Sequence, residues 1–154
     1  MATTIAAGTV TVKITETVSL NGSTYDATNV LTIPNVNEVS QRIVNLPGQT
    51  LIELFEFSGI QPGRGKFLKS DIQYLRITNL DDTNSIAVNT LSSSSNNWTL
   101  VTPSRSFILG AVSATMEADS DIIIHTPVLQ DIDYIWVHGS SVDVIDLEFF
   151  VALT

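Results

Sequence analysis

Cysteine is absent from this chain of 154 residues. Disulfide bonds and zinc–thiolate sites are therefore excluded. Basic residues are scarce as well, because seven Lys and Arg stand against sixteen Asp and Glu, for a formal net charge of −9. Such a chain repels the phosphate backbone, so we expect no binding to nucleic acid.

Long apolar runs are also missing. The longest are short, such as "FFVAL" at Phe149–Leu153, whereas a membrane-spanning helix needs roughly 18–20 apolar residues. The first fifteen residues lack the basic start and apolar stretch of a secretion signal. We therefore expect no membrane association and no export.

The sequence is rich instead in apolar–polar alternation with a period of two. In "TVTVKITETVSL" (Thr9–Leu20), the even-numbered residues are apolar except for Glu16, and the odd-numbered ones are polar. This pattern is typical of a half-buried strand. Asn21-Gly22 follows at once and is the strongest short signal for a hairpin turn, because both residues tolerate positive φ.

The same alternation continues along the chain. After a strand at Thr24–Ile33 closed by Pro34, we predict strands at Ser40–Leu46, Thr50–Phe57, Ile72–Thr78, Ser85–Leu91, Trp98–Val101, Ser106–Leu109, Ile122–Thr126, Tyr134–Val137 and Ile145–Leu153. The one helical candidate is a short turn near Ser113–Asp119. About ten short strands at this spacing predict an all-β, jelly-roll-like antiparallel β-sandwich with little or no helix. We expect residues 1–8 to form a flexible arm and residues 9–154 a single domain.

The segment "NLDDTN" (Asn79–Asn84) places two adjacent carboxylates between two asparagines. A calcium loop needs acids at alternating positions, a glycine and a distant glutamate, and the last two are missing here. We therefore expect the Asx side chains to cap a turn between two strands. Calcium binding at Asp81 and Asp82 is the alternative.

No segment carries a catalytic or cofactor motif. "GIQPGRGKF" (Gly59–Phe67) departs from a phosphate-binding loop in its glycine spacing and in having Phe67 where a hydroxyl residue is needed. The two histidines, His125 and His138, flank predicted turns, and no nucleophile elbow accompanies them. We expect neither enzymatic activity nor a cofactor; a hydrolase would require one histidine beside Asp and Ser in a cleft.

Charge and tryptophan mark the candidate contact residues. Residues 106–154 carry eight acids and no Lys or Arg, whereas four of the seven basic residues lie within thirteen positions: Arg64, Lys66, Lys69 and Arg76. Opposite charges on one chain can pair between subunits. Trp98 follows the polar "SSSSNN" and is a candidate for an exposed contact. Trp98 and Trp136 on one surface would favour a glycan- or receptor-binding module.

Three segments resemble small virion proteins of tailed bacteriophages, especially marine and cyanobacterial ones. They are Ile14–Leu46 with "QRIV", "YLRITNLDDTN" within Tyr74–Asn89, and "PSRSF" within Leu100–Leu109. The resemblance implies a β-rich structural protein, often trimeric, that binds the outside of capsids or builds tail parts. It carries no functional residues that transfer position by position.

The resemblance and the composition together lead to one expectation. The chain would be a capsid decoration or cement protein on the virion surface, assembled in the cytoplasm of the bacterial host. Its partners would be further copies of itself, as a homotrimer, and the major capsid protein or other virion proteins. Arg64, Lys66, Lys69, Arg76, Trp98 and the Met1–Gly8 arm are the predicted contacts. A tail, collar or fibre component is the structural alternative.

Overall fold

The computed structural model describes residues 6–57, 66–93, 95–109, 115–117 and 129–154. These residues form strands and connecting segments, and no helix occurs among them. The all-β prediction is confirmed. The strands are β1 Gly8–Leu20, β2 Ser23–Val36, β3 Glu38–Leu46, β4 Leu51–Phe57, β5 Lys66–Phe67, β6 Ile72–Asn79, β7 Ile86–Leu91, β8 Asn96–Val101, β9 Ser106–Leu109, β10 Thr115–Glu117, β11 Leu129–Asp131, β12 Tyr134–Gly139 and β13 Ile145–Leu153.

The chain divides into two compact units, one of Met1–Glu38 with Thr154 and one of Val39–Leu153. That residues 9–154 form a single domain stays a prediction. Strands β1 and β2 pair only with each other among the described strands and form a two-stranded sheet. Of the predicted N-terminal arm, residues 1–5 lie outside the described residues, and Gly8 already begins β1.

The first unit is a long β-hairpin. Its strands pair antiparallel from Leu20↔Ser23 at the turn to Val10↔Ile33, and Asn21 and Gly22 have φ of 51° and 81°. Positive φ at both turn residues matches the right-handed twist of the strands, as the sequence predicted. Pro34, expected to close the strand, lies inside β2 at a register shift between Gly8 and Val10. Such a bulge lets a strand accommodate a residue that cannot donate a ladder hydrogen bond.

The second unit is built from a five-stranded sheet, ordered β5-β4-β12-β7-β8, and a four-stranded sheet, ordered β3-β13-β6-β9. Neighbouring strands are antiparallel except for the parallel pair β4–β5. The inward faces of the two sheets share one apolar core. Phe55 of β4 lies edge-on to Phe149 of β13, with ring centroids 4.8 Å apart, which fixes this contact across the sandwich.

The remaining strand predictions fare unevenly. Ser106–Leu109 and Ile145–Leu153 match β9 and β13 residue for residue. The helical turn near Ser113–Asp119 is wrong over Thr115–Glu117, which pairs antiparallel with Leu129–Asp131. The strand predicted at Ile122–Thr126 lies outside the described residues.

One glycine is required by packing. A Cβ on Gly48, in the turn between β3 and β4, would lie 2.1 Å from the backbone oxygen of Val142. The neighbouring amide of Thr50 donates to the Pro47 carbonyl at 3.3 Å, which closes the turn. Gly48 therefore allows this turn to lie directly against the β12–β13 connection.

Candidate interaction surfaces

The hairpin presents one apolar face and one polar face. Residues directly opposite in an antiparallel pair share a face, so the register joins the even-numbered residues of β1 to the odd-numbered residues of β2. We call the resulting surface the hairpin apolar face: Val10, Val12, Ile14, Val18, Leu20, Tyr25, Ala27, Leu31 and Ile33, interrupted by Glu16 and Asn29. The opposite face consists mainly of threonine and serine, with Lys13, Asp26 and the exposed Val30.

Exposure increases along this face toward the turn. Ile33 is buried and Val10 and Val12 are half-buried. Beyond them, Ile14, Val18 and Leu20 are 46%, 54% and 59% exposed, and Tyr25 is 63% exposed. An exposed apolar surface of this kind is a candidate interaction site. Two-stranded sheets are also only marginally stable by themselves in water.

Glu16 was the exception to the alternation in β1. It lies opposite Ala27 in an unbroken part of the register, so neither a bulge nor the end of the sheet explains it. The Ile14↔Asn29 pair is adjacent. A carboxylate and an amide therefore form one polar interruption in the middle of the hairpin apolar face.

The predicted basic contact residues already face carboxylates of their own chain. Lys66 forms an ion pair with Glu56, and Arg76 with Glu148, whose other oxygen accepts from Gln41 Nε2 at 2.6 Å. Lys66 and Arg76 therefore both pair with carboxylates of their own chain. Arg64 lies outside the described residues.

Lys69 illustrates the same pairing with the acidic C-terminal region. Its Nζ donates to Asp133 at 2.9 Å and lies 3.4 Å from Asp131. Burial lowers the pKa of Lys69, but the hydrogen bonds and charges of Asp133 and Asp131 outweigh burial and hold the pKa above its ordinary value. At this position a basic residue and the acidic C-terminal region therefore pair within one chain.

The "NLDDTN" segment forms the predicted turn, and this prediction is confirmed. The fully buried Asn79 accepts from the Asp81 amide at 3.0 Å and donates to the carbonyls of Asn84 and Val101 at 2.8 and 3.1 Å. The Asp81 carboxylate accepts from the amides of Thr83 and Asn84 at 2.8 and 2.6 Å. These backbone hydrogen bonds, Asn84 first, lower the pKa of Asp81.

The outer face of the five-stranded sheet brings together residues that are far apart in sequence. Across β8, β7 and β12, the register places Trp98 opposite Asn89 and Asn89 opposite Trp136. The next strand, β4, continues this row with Glu53 opposite Trp136. We call Trp98, Asn89 and Trp136 the tryptophan row. The backbones of its two tryptophans are two strand spacings apart, about 10 Å.

Exposure in the tryptophan row is greatest at the edge strand and lowest at Asn89, in the middle of the row. Trp98 is 48% exposed, Trp136 is half-buried and Asn89 is 8% exposed. Asn89 Oδ1 and Trp136 Nε1 are both buried without a hydrogen-bond partner. Unpaired buried polar atoms are rare, because each costs roughly 1–3 kcal/mol.

The structure describes one of the two histidines. His138 lies between Ala87 and Leu51 in the register of the five-stranded sheet, so its direct cross-strand neighbours carry no acid or nucleophile. His125 lies outside the described residues. Among the described residues, no group of three or more His, Cys, Asp and Glu is arranged to hold a metal ion. None of the described segments is a helix long and apolar enough to cross a membrane.

Comparison with known proteins yields no relative. No protein-family model matches the chain, and neither the curated proteins nor the solved structures contain a match.

The sequence alone did not predict that the residues of the hairpin apolar face, or those of the tryptophan row, lie together on one surface. Sequence reasoning found the apolar alternation of β1 and named Trp98 and Trp136, but it did not find Asn89. The signal for the hairpin apolar face was available in the register set by Asn21-Gly22, which aligns the apolar residues of β1 and β2. No local signal connects Asn89 with Trp136, because their pairing joins strands 47 positions apart.

Proposed function

We propose that this chain is a structural subunit of a bacteriophage particle, a jelly-roll-like capsid decoration protein that forms homotrimers through the hairpin apolar face. The observation that carries the proposal is the exposed apolar face of a hairpin that forms its own sheet. The resemblance of Ile14–Leu46 and Tyr74–Asn89 to small virion proteins supports the assignment to a phage particle.

A second copy of the chain is the occupant that best fits the hairpin apolar face. Twelve paired positions at about 3.3 Å each give a face about 40 Å long and 10 Å wide, or on the order of 400 Å² per copy. Two copies packed face to face bury about 800 Å² in total, which is below the standard range for one specific interface. The homotrimer is therefore proposed from the resemblance to small virion proteins, which are often trimeric, and the hairpin apolar face supplies the contact.

The polar interruption also fits self-association. Glu16 is an acceptor and the Asn29 amide is a donor on the same face. When hairpins of different copies pack face to face, Asn29 of one copy can donate to Glu16 of the next. Such a polar pair fixes the register of an apolar interface at a cost in stability.

Decoration of a shell would then act by mass action. A trimer that binds across neighbouring capsomers and not to the separated subunits stabilises the assembled shell, and this free energy grows with the logarithm of the trimer concentration once that concentration exceeds the dissociation constant. The chemistry requires no catalytic group and no cofactor. Its specificity would come from the surfaces of the sandwich and the hairpin.

The test is the mass of the purified chain by light scattering behind a sizing column. We expect a mass near three times 16.7 kDa that Val18→Lys reduces to that of a monomer, because a charge within the apolar interface is costly. The matched control is Thr17→Lys, which places the same charge on the polar face one residue away. A monomeric wild type, or equal effects of both variants, would reject the hairpin interface.

The particle assignment has its own test. Expanded heads are prepared from a phage that encodes the chain, but without the chain itself, and are then mixed with the purified trimer. We expect the trimer to sediment with these heads, and we expect heads with bound trimer to withstand a higher temperature than heads without it. A trimer that sediments with purified tails but not with heads would identify the chain as a tail component. A trimer that binds neither heads nor tails would reject the proposal that the chain is a subunit of the phage particle.

A further inference from the structure

The outer face of the five-stranded sheet offers a second surface whose chemistry differs from that of the hairpin. It contains two indole rings in one row with a buried amide between them. Two of its polar atoms are unpaired, one an acceptor, Asn89 Oδ1, and one a donor, Trp136 Nε1. The paired basic residues described above do not belong to this row.

We propose that the tryptophan row binds an uncharged oligosaccharide. The apolar C–H face of a pyranose ring stacks on the face of an aromatic ring, and two tryptophans whose backbones lie about 10 Å apart along one row provide places for separate sugar rings. A sugar hydroxyl both donates and accepts. A single hydroxyl type can therefore pair with the Asn89 carbonyl oxygen and with the Trp136 N–H.

The carboxylate beside the tryptophan row disfavours anionic ligands that also stack on aromatic rings. Glu53 lies directly opposite Trp136 and is exposed. Its carboxylate disfavours anionic sugars and nucleic acid, whose binding requires cationic side chains along the backbone path. Neutral sugars are not repelled, and their hydroxyls can donate to the Glu53 carboxylate.

Access to the row is through the edge strand. Trp98 belongs to β8, which is the last strand of its sheet and leaves this ring half-exposed. The two unpaired atoms are screened from solvent. A hydroxyl therefore reaches them only when the surrounding side chains shift, and the relief of two unpaired groups favours that shift.

Tryptophan fluorescence of the full chain, titrated with cellohexaose, maltohexaose, xylohexaose and chitohexaose to about 10 mM, tests the proposal. We expect at least one saccharide to change the emission in a saturable manner. Trp98→Ala should weaken that binding about tenfold or more, because a stacking face is lost. Trp136→Phe, which keeps an aromatic ring and removes the donor, should weaken it about threefold to tenfold.

The matched control is Leu100→Ala. Leu100 lies on the same strand and the same face as Trp98 and is 64% exposed, so its loss removes apolar area without removing an aromatic ring. Less than a twofold effect is expected. Equal weakening by Trp98→Ala and Leu100→Ala would overturn the proposal, since a nonspecific apolar surface would explain it.

Two further outcomes would also overturn it. One is the absence of any saturable change with all four saccharides. The other is a change in solution mass in Trp98→Ala together with no saccharide binding, which would make this face a protein interface. Neither outcome bears on the hairpin, whose test uses Val18 and Thr17.

Discussion

The hairpin and the sandwich have the same alternation in sequence but opposite environments in the structure. In β13, every second residue from Ile145 to Leu153 is buried in the core between two sheets. In β1, every second residue from Val10 to Leu20 is apolar except Glu16, yet none is fully buried. Alternation therefore specifies which face of a strand is apolar, but not what covers that face.

This difference in burial predicts that the sandwich determines folding and that the hairpin determines assembly. The sandwich satisfies its apolar faces within Val39–Leu153, whereas the hairpin leaves most of its apolar face exposed. Substitutions in the sandwich core should therefore affect the free energy of unfolding of the single chain. Substitutions on the hairpin apolar face should affect association instead.

The largest expected effect comes from Phe55→Ala. The ring of Phe55 is fully buried and lies 4.8, 5.5 and 6.2 Å from the rings of Phe149, Phe67 and Phe57. Its loss should lower the free energy of unfolding by about 3–5 kcal/mol in urea titrations. Tyr25→Ala also removes an aromatic ring, but from the exposed hairpin. It should change the free energy of unfolding of the dissociated chain by less than about 0.5 kcal/mol. Similar losses in both variants would contradict the comparison.

Asn79→Ala should have the next largest effect. Asn79 is fully buried and its side chain makes three hydrogen bonds with backbone groups of the turn and of Val101. Removing it leaves those groups without their partner, which should cost on the order of 2–3 kcal/mol in the same titrations. The exposed Asn97 provides the control, since Asn97→Ala should have little effect. A loss below about 1 kcal/mol for Asn79→Ala would show that the turn does not depend on this amide.

The smallest expected effect is a pH dependence. Backbone hydrogen bonds lower the pKa of Asp81 in the folded chain below its ordinary value of 3.8. The carboxylate therefore contributes stability that is fully present above the unfolded pKa and is lost as the pH falls through the folded pKa. Between pH 5 and pH 3, Asp81→Asn should lose less stability than the wild type. Identical pH profiles by thermal unfolding would contradict this role of the carboxylate.

The local parts of the fold were predictable from sequence because their causes are local. Asn21-Gly22 favours positive φ at both turn positions, and Asp81 hydrogen-bonds to amides two and three residues ahead. The bounds of β9 and β13 followed from the apolar alternation. Pro34 misled the prediction, because whether a strand contains a bulge depends on its partner strand.

The surfaces were not predictable because they depend on long-range pairing. Lys69 was a candidate for contacts between subunits, but its carboxylate partners lie 62 and 64 positions away in the same chain. The row Trp98, Asn89 and Trp136 exists only through the order β8-β7-β12. Trp98 and Trp136 could be named from sequence, but their common row with Asn89 required the register.

Amide hydrogen exchange at two protein concentrations tests the central claim most directly, because it reports on the hairpin and the sandwich in one experiment. A two-stranded sheet opens readily by itself, so its amides are protected only when another copy covers it. We predict that protection of Gly8–Leu20 and Ser23–Val36 increases with concentration, while that of β6, β12 and β13 stays constant. Hairpin amides that exchange at one rate across concentrations spanning monomer and oligomer would contradict assembly through the hairpin apolar face.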